Sequence, residues 1–285
     1  MKRLITCLTV FVMLFGASLA MAQDKGPAGD TERIARSFPI KAGGEVRVEN
    51  DRGSTTIDAW DKDEVSVEAV KHFEGDSSMR ERWLRETDVR LENTASYVSV
   101  KVVRPNMFCM GYCHYRAWVD VTIKAPRKMS LNLNSDRTTT RVSDIQGAIR
   151  ISGDRSSIDL RNTAGSLHIR SDRGTVNLRD VDVRDSIDIS SDRASIEVYA
   201  THFSAGGRLS SDRAPITLRL PSNTALNVEV ENERRSSFHS DFPMTTNGNF
   251  SGRGTMHGTI NGGGPTLHVQ SDRGSISLQK GGTSM

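Results

Sequence analysis

Cysteine, net charge and long apolar runs are all scarce in this chain. Of its 3 cysteines, Cys7 sits in an apolar N-terminal stretch, which leaves Cys109 and Cys113 in MFCMGYCHY. Their spacing is not the Cys-x-x-Cys of a redox pair. No second Cys or His pair at ligand spacing follows, so a metal site built with His114 has no support. The formal net charge is only +3, with both signs interspersed. Such a surface offers no basic patch from which counterions could be released, and nucleic acid is therefore excluded as a partner. The one uncharged run that approaches membrane-spanning length, Leu4 to Gln23, lacks a basic stop-transfer flank.

That run reads instead as export. Lys2 and Arg3 precede it, and Ala20-Met21-Ala22 closes it with a signal-peptidase pattern. Residues 1–22 are expected to be a secretory signal, with no transmembrane segment after cleavage. Losing Lys2 and Arg3 takes two positive charges from an already small excess. In an oxidising compartment Cys109 and Cys113 are expected to pair. So short a loop constrains the unfolded chain by about 2 kcal/mol, enough to pin a turn.

What the chain has in abundance is Asp-Arg. The pair occurs at Asp51-Arg52, Asp136-Arg137, Asp154-Arg155, Asp172-Arg173, Asp192-Arg193, Asp212-Arg213 and Asp272-Arg273, with Glu233-Arg234 as a degenerate copy. From Asp136 the steps are 18, 18, 20, 20, 21 and 39 residues. Five and three residues before the Asp stand pairs such as Leu131 and Leu133, Ile149 and Ile151, Leu167 and Ile169, Ile187 and Ile189. Four and six residues after it stand Ile158 and Leu160, Val176 and Leu178, Ile196 and Val198, Ile216 and Leu218, Ile276 and Leu278. Alternation at period two means a strand on each side of the motif. The inner apolar positions are seven residues apart, an odd number that a straight strand would place on opposite faces. The motif must therefore bend the chain, and the small residues around it suit a corner.

Strand, corner, strand, repeated about every 18–21 residues, predicts an all-β chain wound as a single-chain β-solenoid, like a parallel β-helix. Equivalent residues would stack about 4.8 Å apart. No Asn-Gly or Asp-Gly hairpin signal sits at the corners. Stacking explains the repetition, because each turn must match the corners of its neighbours. It also predicts a ladder of Asp136, Asp154, Asp172, Asp192, Asp212 and Asp272 beside one of Arg137, Arg155, Arg173, Arg193, Arg213 and Arg273. An Asp of one turn is expected to reach an Arg of the next, each exposed pair contributing about 0.2–1 kcal/mol.

Residues 23–37 are polar and read as a flexible leader. Residues 38–130 form an N-terminal β-rich part, with strands at EVRVEN, STTIDAW, EVSVEAV, DVRLEN, YVSVKVV and AWVDVTI. One short helix is predicted near 77–86, capped by Asp76-Ser77-Ser78, with Met79 and Trp83 on one face covering an end or edge of the sheet. Residues 131–285 carry the repeat. Within them, 232–249 lose alternation and predict a loop or distorted turn, and the glycines of 251–269 permit a tight excursion. No Gly-Lys-Ser/Thr follows those glycines, so they are not a phosphate loop.

VRVENDRGSTTIDAWDKDEVSVEAVK, the repeated strand-corner-strand units and the closing GTINGGGPTLHVQSDRGSISLQK together resemble the bacterial putative-adhesin domain family built from β-strand repeats, across residues 40–280. The resemblance implies a β-solenoid exported to the envelope, and it brings no catalytic residues.

Function is accordingly expected to be non-enzymatic: an exported periplasmic or cell-surface protein presenting a repetitive face to an envelope glycan or another envelope protein, without cofactor or metal. The competing expectation is a carbohydrate-active lyase or hydrolase, since parallel β-helices carry such chemistry elsewhere. An active site should break the repeat, whereas Asp154, Asp172 and Asp192 are the repeat. His72, His114, His168, His202, His239, His257 and His268 are scattered, and no nucleophile elbow is present.

Overall fold

The computed structural model describes residues 31–75, 77–106, 114–232, 237–248 and 254–281. The signal segment, Asp76, Cys109, Cys113 and the Glu233-Arg234 copy lie outside the described residues. The described chain is all-β, with strands joined in one open, mixed sheet and a single helix.

In chain order the first strands are β1 Thr31–Pro39, β2 Glu45–Asn50, β3 Gly53–Trp60 and β4 Glu64–Gly75, followed by helix α1 Ser77–Glu86. Then come β5 Asp88–Asn93, β6 Tyr97–Val103, β7 Tyr115–Pro126, β8 Ser130–Ser135, β9 Thr138–Ser143, β10 Ile149–Arg161 and β11 Leu167–Val183. The remainder are β12 Ser186–Ser191, β13 Ser195–Phe203, β14 Gly206–Ser211, β15 Ile216–Pro221, β16 Leu226–Asn232, β17 Ser237–Ser240, β18 Met244–Gly248, β19 Gly254–Ile260, β20 Thr266–Ser271 and β21 Ser275–Gly281.

The strands before each corner form one parallel ladder, in spatial order β6, β2, β8, the first half of β10, the first half of β11, β12, β14, β20 and β16. Those after the corner form a second: β7, β3, β9, the later halves of β10 and β11, β13, β15, β21 and β17. Register follows the repeat, so Leu131, Ile149, Leu167 and Ile187 are successive partners, as are Val142, Leu160, Leu178 and Val198. All are buried. Each rung thus commits about four branched side chains to the core, each stabilising by about 1.5–3 kcal/mol on burial.

Two features of the ladders are absent from the sequence reading. First, a second bend follows the strands of the second ladder on three neighbouring rungs. Asp144, Asn162 and Asp180 adopt left-handed φ angles of 62°, 49° and 56°, which Asn and Asp tolerate better than other side-chain-bearing residues. The Asn162 amide donates to Asp144 on the neighbouring rung. Single bridges Gln146–Ala164 and Ala164–Asp182 form a short third side, behind which Ile145, Thr163 and Val181 are buried.

Second, rungs are not stacked in chain order at the ends. The rung of β2 and β3 lies between that of β6 and β7 and that of β8 and β9. At the other end β20 and β21 lie between β14 and β15 on one side and β16 and β17 on the other. The first and last rungs in sequence are therefore each held on both sides. Outside them, antiparallel strands finish the stack: β5 on β6, β4 and β1 beyond β7, and β19 and β18 beyond β16. Such strands cover edges that would otherwise template aggregation.

Several expectations change here. Thr31 to Ser37, read as flexible leader, belong to β1, which runs antiparallel to β4 in continuous register from Thr31↔His72 to Pro39↔Glu64. The stretch 232–249, read as a loop or distorted turn, contains β17 and β18. The helix occupies its expected place and packs on β4, where Trp83 is fully buried and Lys71 Nζ donates to the carbonyl of Leu84 at 3.0 Å.

Candidate functional site

The corner answers why Ser precedes Asp-Arg. Ser191 Oγ accepts from Ala194 N at 2.6 Å and donates to its carbonyl at 3.0 Å. Ser211 accepts from Ala214 N at 3.1 Å, and Ser271 from Gly274 N at 2.8 Å. A buried hydroxyl thus satisfies the backbone of the turn, the local use for which Ser suits corners. At the third corner the roles exchange: Gly153 stands in the Ser position, and Ser156 supplies the hydroxyl from the other side, donating to Ser135 O at 3.0 Å. A Cβ on Gly153 would meet Ser156 Oγ at 2.8 Å, so this corner has room for one hydroxyl. Backbone bonds tie corners together, with Arg193 N, Arg213 N and Arg273 N donating to the carbonyls of Asp172, Asp192 and Asp212.

The Asp and Arg side chains both leave the corner outward. From Arg137 to Arg213 the ion pairs lie within a rung and not between rungs. Arg137, Arg155, Arg173, Arg193 and Arg213 each present Nε to the Asp immediately before them, at 3.0, 3.3, 3.5, 3.2 and 3.0 Å. An extended strand would send neighbouring side chains to opposite faces; the bend brings both to the same side, and the adjacent carboxylate becomes the nearest acceptor. The Arg column is therefore neutralised rung by rung.

The carboxyls meanwhile approach one another along the stack. Hydrogen bonding with Asp154, then burial and the charge of Asp192, hold the Asp172 pKa above the ordinary carboxylate value. Asp212 departs in the opposite direction. Burial pushes it up, but hydrogen bonding with Asp192, Arg213 and Asp272 outweighs this and holds it low. The linkage signs are opposite. Asp172 contributes stability below its unfolded pKa and loses it as pH rises through the raised folded value. Asp212 contributes above the unfolded value and loses it as pH falls through the lowered one. A carboxyl-carbon NMR titration should place Asp172 above and Asp212 below the ordinary range, and Asp154→Ala should lower Asp172; coincident midpoints for the two would contradict the stack.

Beside the Asp column lies an open groove of about 800 Å³. Asn134, Ser152, Arg170 and Ser190 from successive rungs form its wall, and Asp136, Asp154, Asp172, Asp192 and Asp212 its rim. It offers carboxylate acceptors and hydroxyls that recur along the rungs, with one amide and one guanidinium among them. The walls share an outward register, since Asn134, Ser152, Arg170 and Ser190 are successive ladder partners.

A second polar cluster was invisible in the sequence because its members come from three strands. Asp120 accepts from Ser54 N and Oγ, both at 2.8 Å, and from Trp118 Nε1 at 3.1 Å. His72 Nε2 lies 3.1 Å from the same carboxylate and stacks on Trp118 with centroids 4.9 Å apart. Ser, His and Asp meet, but the hydroxyl donates to the carboxylate and not to the imidazole. A nucleophilic relay needs His between the other two, so the cluster works as a latch joining β3, β4 and β7. His168 and His268 lie on the first ladder, with His168 Nδ1 3.1 Å from Asp188 and His268 Nδ1 3.1 Å from Glu229. Among the described residues no group of three or more His, Cys, Asp or Glu is placed to hold a metal ion. No helix among them is long and apolar enough to cross a membrane.

No protein-family model and no curated protein matches the chain. Solved structures similar to it include a putative adhesin from Bacteroides fragilis NCTC 9343, 10% identical over 87% of this chain and 97% of that one, with a TM-score of 0.44. A putative cell adhesion protein from Clostridium sporogenes ATCC 15579 is 11% identical over 88% and 100%, with a TM-score of 0.35. A putative lipid binding protein from Parabacteroides distasonis ATCC 8503 is 12% identical over 90% and 98%, with a TM-score of 0.26.

Proposed function

We propose that this chain is an exported, non-enzymatic binding protein of the cell envelope, in the periplasm or at the cell surface. In this reading its rungs wind as a β-solenoid, and an extended glycan lies along the groove beside the Asp column. The carrying observation is the groove itself, along which an aspartate recurs on successive rungs beside a polar residue of varying kind. A site built by repetition suits a ligand built by repetition. Sugar hydroxyls can donate to the carboxylates and exchange hydrogen bonds with Ser152, Ser190 and Asn134, each bond contributing about 0.5–1.5 kcal/mol net.

Of the two expected ladders, the reading gives recognition to the aspartates alone, because the corner arginines are held by their own aspartates. The test is binding of the purified protein to an array of neutral envelope and extracellular glycans, beside two triple variants. Asp154→Asn/Asp172→Asn/Asp192→Asn should weaken glycan binding at least tenfold while leaving the melting temperature within a few degrees. Arg155→Gln/Arg173→Gln/Arg193→Gln should change it less than threefold. An empty array, or retention by the Asp triple variant, overturns the proposal.

A further inference from the structure

Away from the corner, the second ladder holds a like-charge contact that its surroundings do not neutralise. Arg161 and Arg179 are direct partners in the parallel register of β10 and β11, with backbones about 4.8 Å apart. Both are exposed. Ser143 precedes Arg161 in the column, and Tyr199 follows Arg179. Neither guanidinium has an ion pair or side-chain hydrogen bond among the described residues, whereas the corner arginines of the same rungs, Arg155 and Arg173, each hold an Asp. Like charges placed directly opposite on a sheet are destabilising. The next rungs continue the column with Tyr199 and Arg219, whose guanidinium lies 4.8 Å from the Tyr199 ring centroid and donates to Gln279 at 2.9 Å.

We infer that Arg161, Arg179, Tyr199 and Arg219 form an anion-recognition strip for an acidic polysaccharide, on a face distinct from the Asp groove. Two free planar forks one rung apart can each take a carboxylate or sulfate bidentately. Tyr199, whose hydroxyl donates to Glu197 at 3.3 Å, offers a fixed aromatic edge between them and Arg219. The strip is one side chain wide. Asp159 and Glu197 stand in the adjacent column of the same strands, and Asp180 follows Arg179 at the next corner. Flanking carboxylates repel a broad anionic surface, such as a lipid bilayer, and leave room for a single strand whose charges are spaced along its length. This surface stands apart from the groove reading and does not depend on it.

The experiment titrates the purified full-length protein with polygalacturonate and dextran sulfate, with neutral dextran and vesicles containing anionic phosphatidylglycerol as comparisons. Arg161→Gln/Arg179→Gln is compared with Arg155→Gln/Arg173→Gln, which removes the same two charges from the same two rungs at the corner. The first double variant should lose at least tenfold in affinity for one acidic polymer and the second less than threefold. Arg161→Lys/Arg179→Lys, which keeps charge but not the fork, should fall between. All variants should melt within a few degrees of the parent, because the altered side chains are exposed. Absence of polymer binding, equal losses in the two Gln variants, or binding to the vesicles with none to the polymers overturns the inference.

Discussion

Gly207→Ala should break the stack between β12 and β14, at a cost on the order of 4 kcal/mol from backbone strain and overpacking together. The position faces inward, where equivalent rungs carry Leu131, Ile149, Leu167, Ile187 and Leu267. Here the strand swings so close to its neighbour that a Cβ would lie 1.8 Å from the carbonyl oxygen of Ile187. That atom belongs to the ladder and cannot retreat without surrendering register. The φ of 155° adds a conformation that side chains avoid. Gly43→Ala is the control. Its φ is 80° with nothing within 4 Å of the added methyl, so only the conformational penalty of about 1–2 kcal/mol applies. Urea unfolding should separate the two variants clearly, and hydrogen exchange should show protection lost first at β12 and β14. Equal costs at Gly207 and Gly43 would mean that the stack relaxes there freely.

The repeat was legible in sequence for the same reason that Gly207 is intolerant. Stacked rungs must present matching side chains, so Ile149, Leu167 and Ile187 advertise a shared column wherever the chain places them. The order of rungs was not legible, because matching is all that pairing requires: β2, with its Val46 and Val48, fits beside β8 as well as any later rung does. The second corner escaped notice since Asp144, Asn162 and Asp180 share a backbone conformation and not an identity. Strand β1 escaped because it sheds its alternation; TERIARSFP is exposed or half-buried throughout, as an edge strand over β4 permits. At the candidate site, the positions of Asp and Arg were readable but their partner was not. Whether Arg155 reaches Asp154 or the next rung depends on the bend between them, and a one-dimensional spacing does not encode that bend.

Equivalence of rungs leads to the other large effect. Removing residues 157–174 joins Ser156 to Thr175, which occupies the same register position as Ser157. The corner of Gly153 and Ser156 survives, Ile149 faces Ile187 in place of Leu167, and Val176 and Leu178 replace Ile158 and Leu160 in their columns. Stability in a stack approximates a sum of rung and neighbour contributions, so the shortened chain should still unfold in one cooperative transition, with its melting temperature lowered by several degrees. Removing only 157–165 deletes half a turn. Ser166 and Leu167 would then follow Ser156 directly, a strand of the first ladder would occupy the second, and every later corner would meet the wrong side. That variant should show no cooperative melting. Calorimetry of the pair decides the matter: collapse of both would mean that the rungs are individually fitted and not interchangeable. Survival of the first alone would establish stacking as the rule that the repeated Ser-Asp-Arg serves.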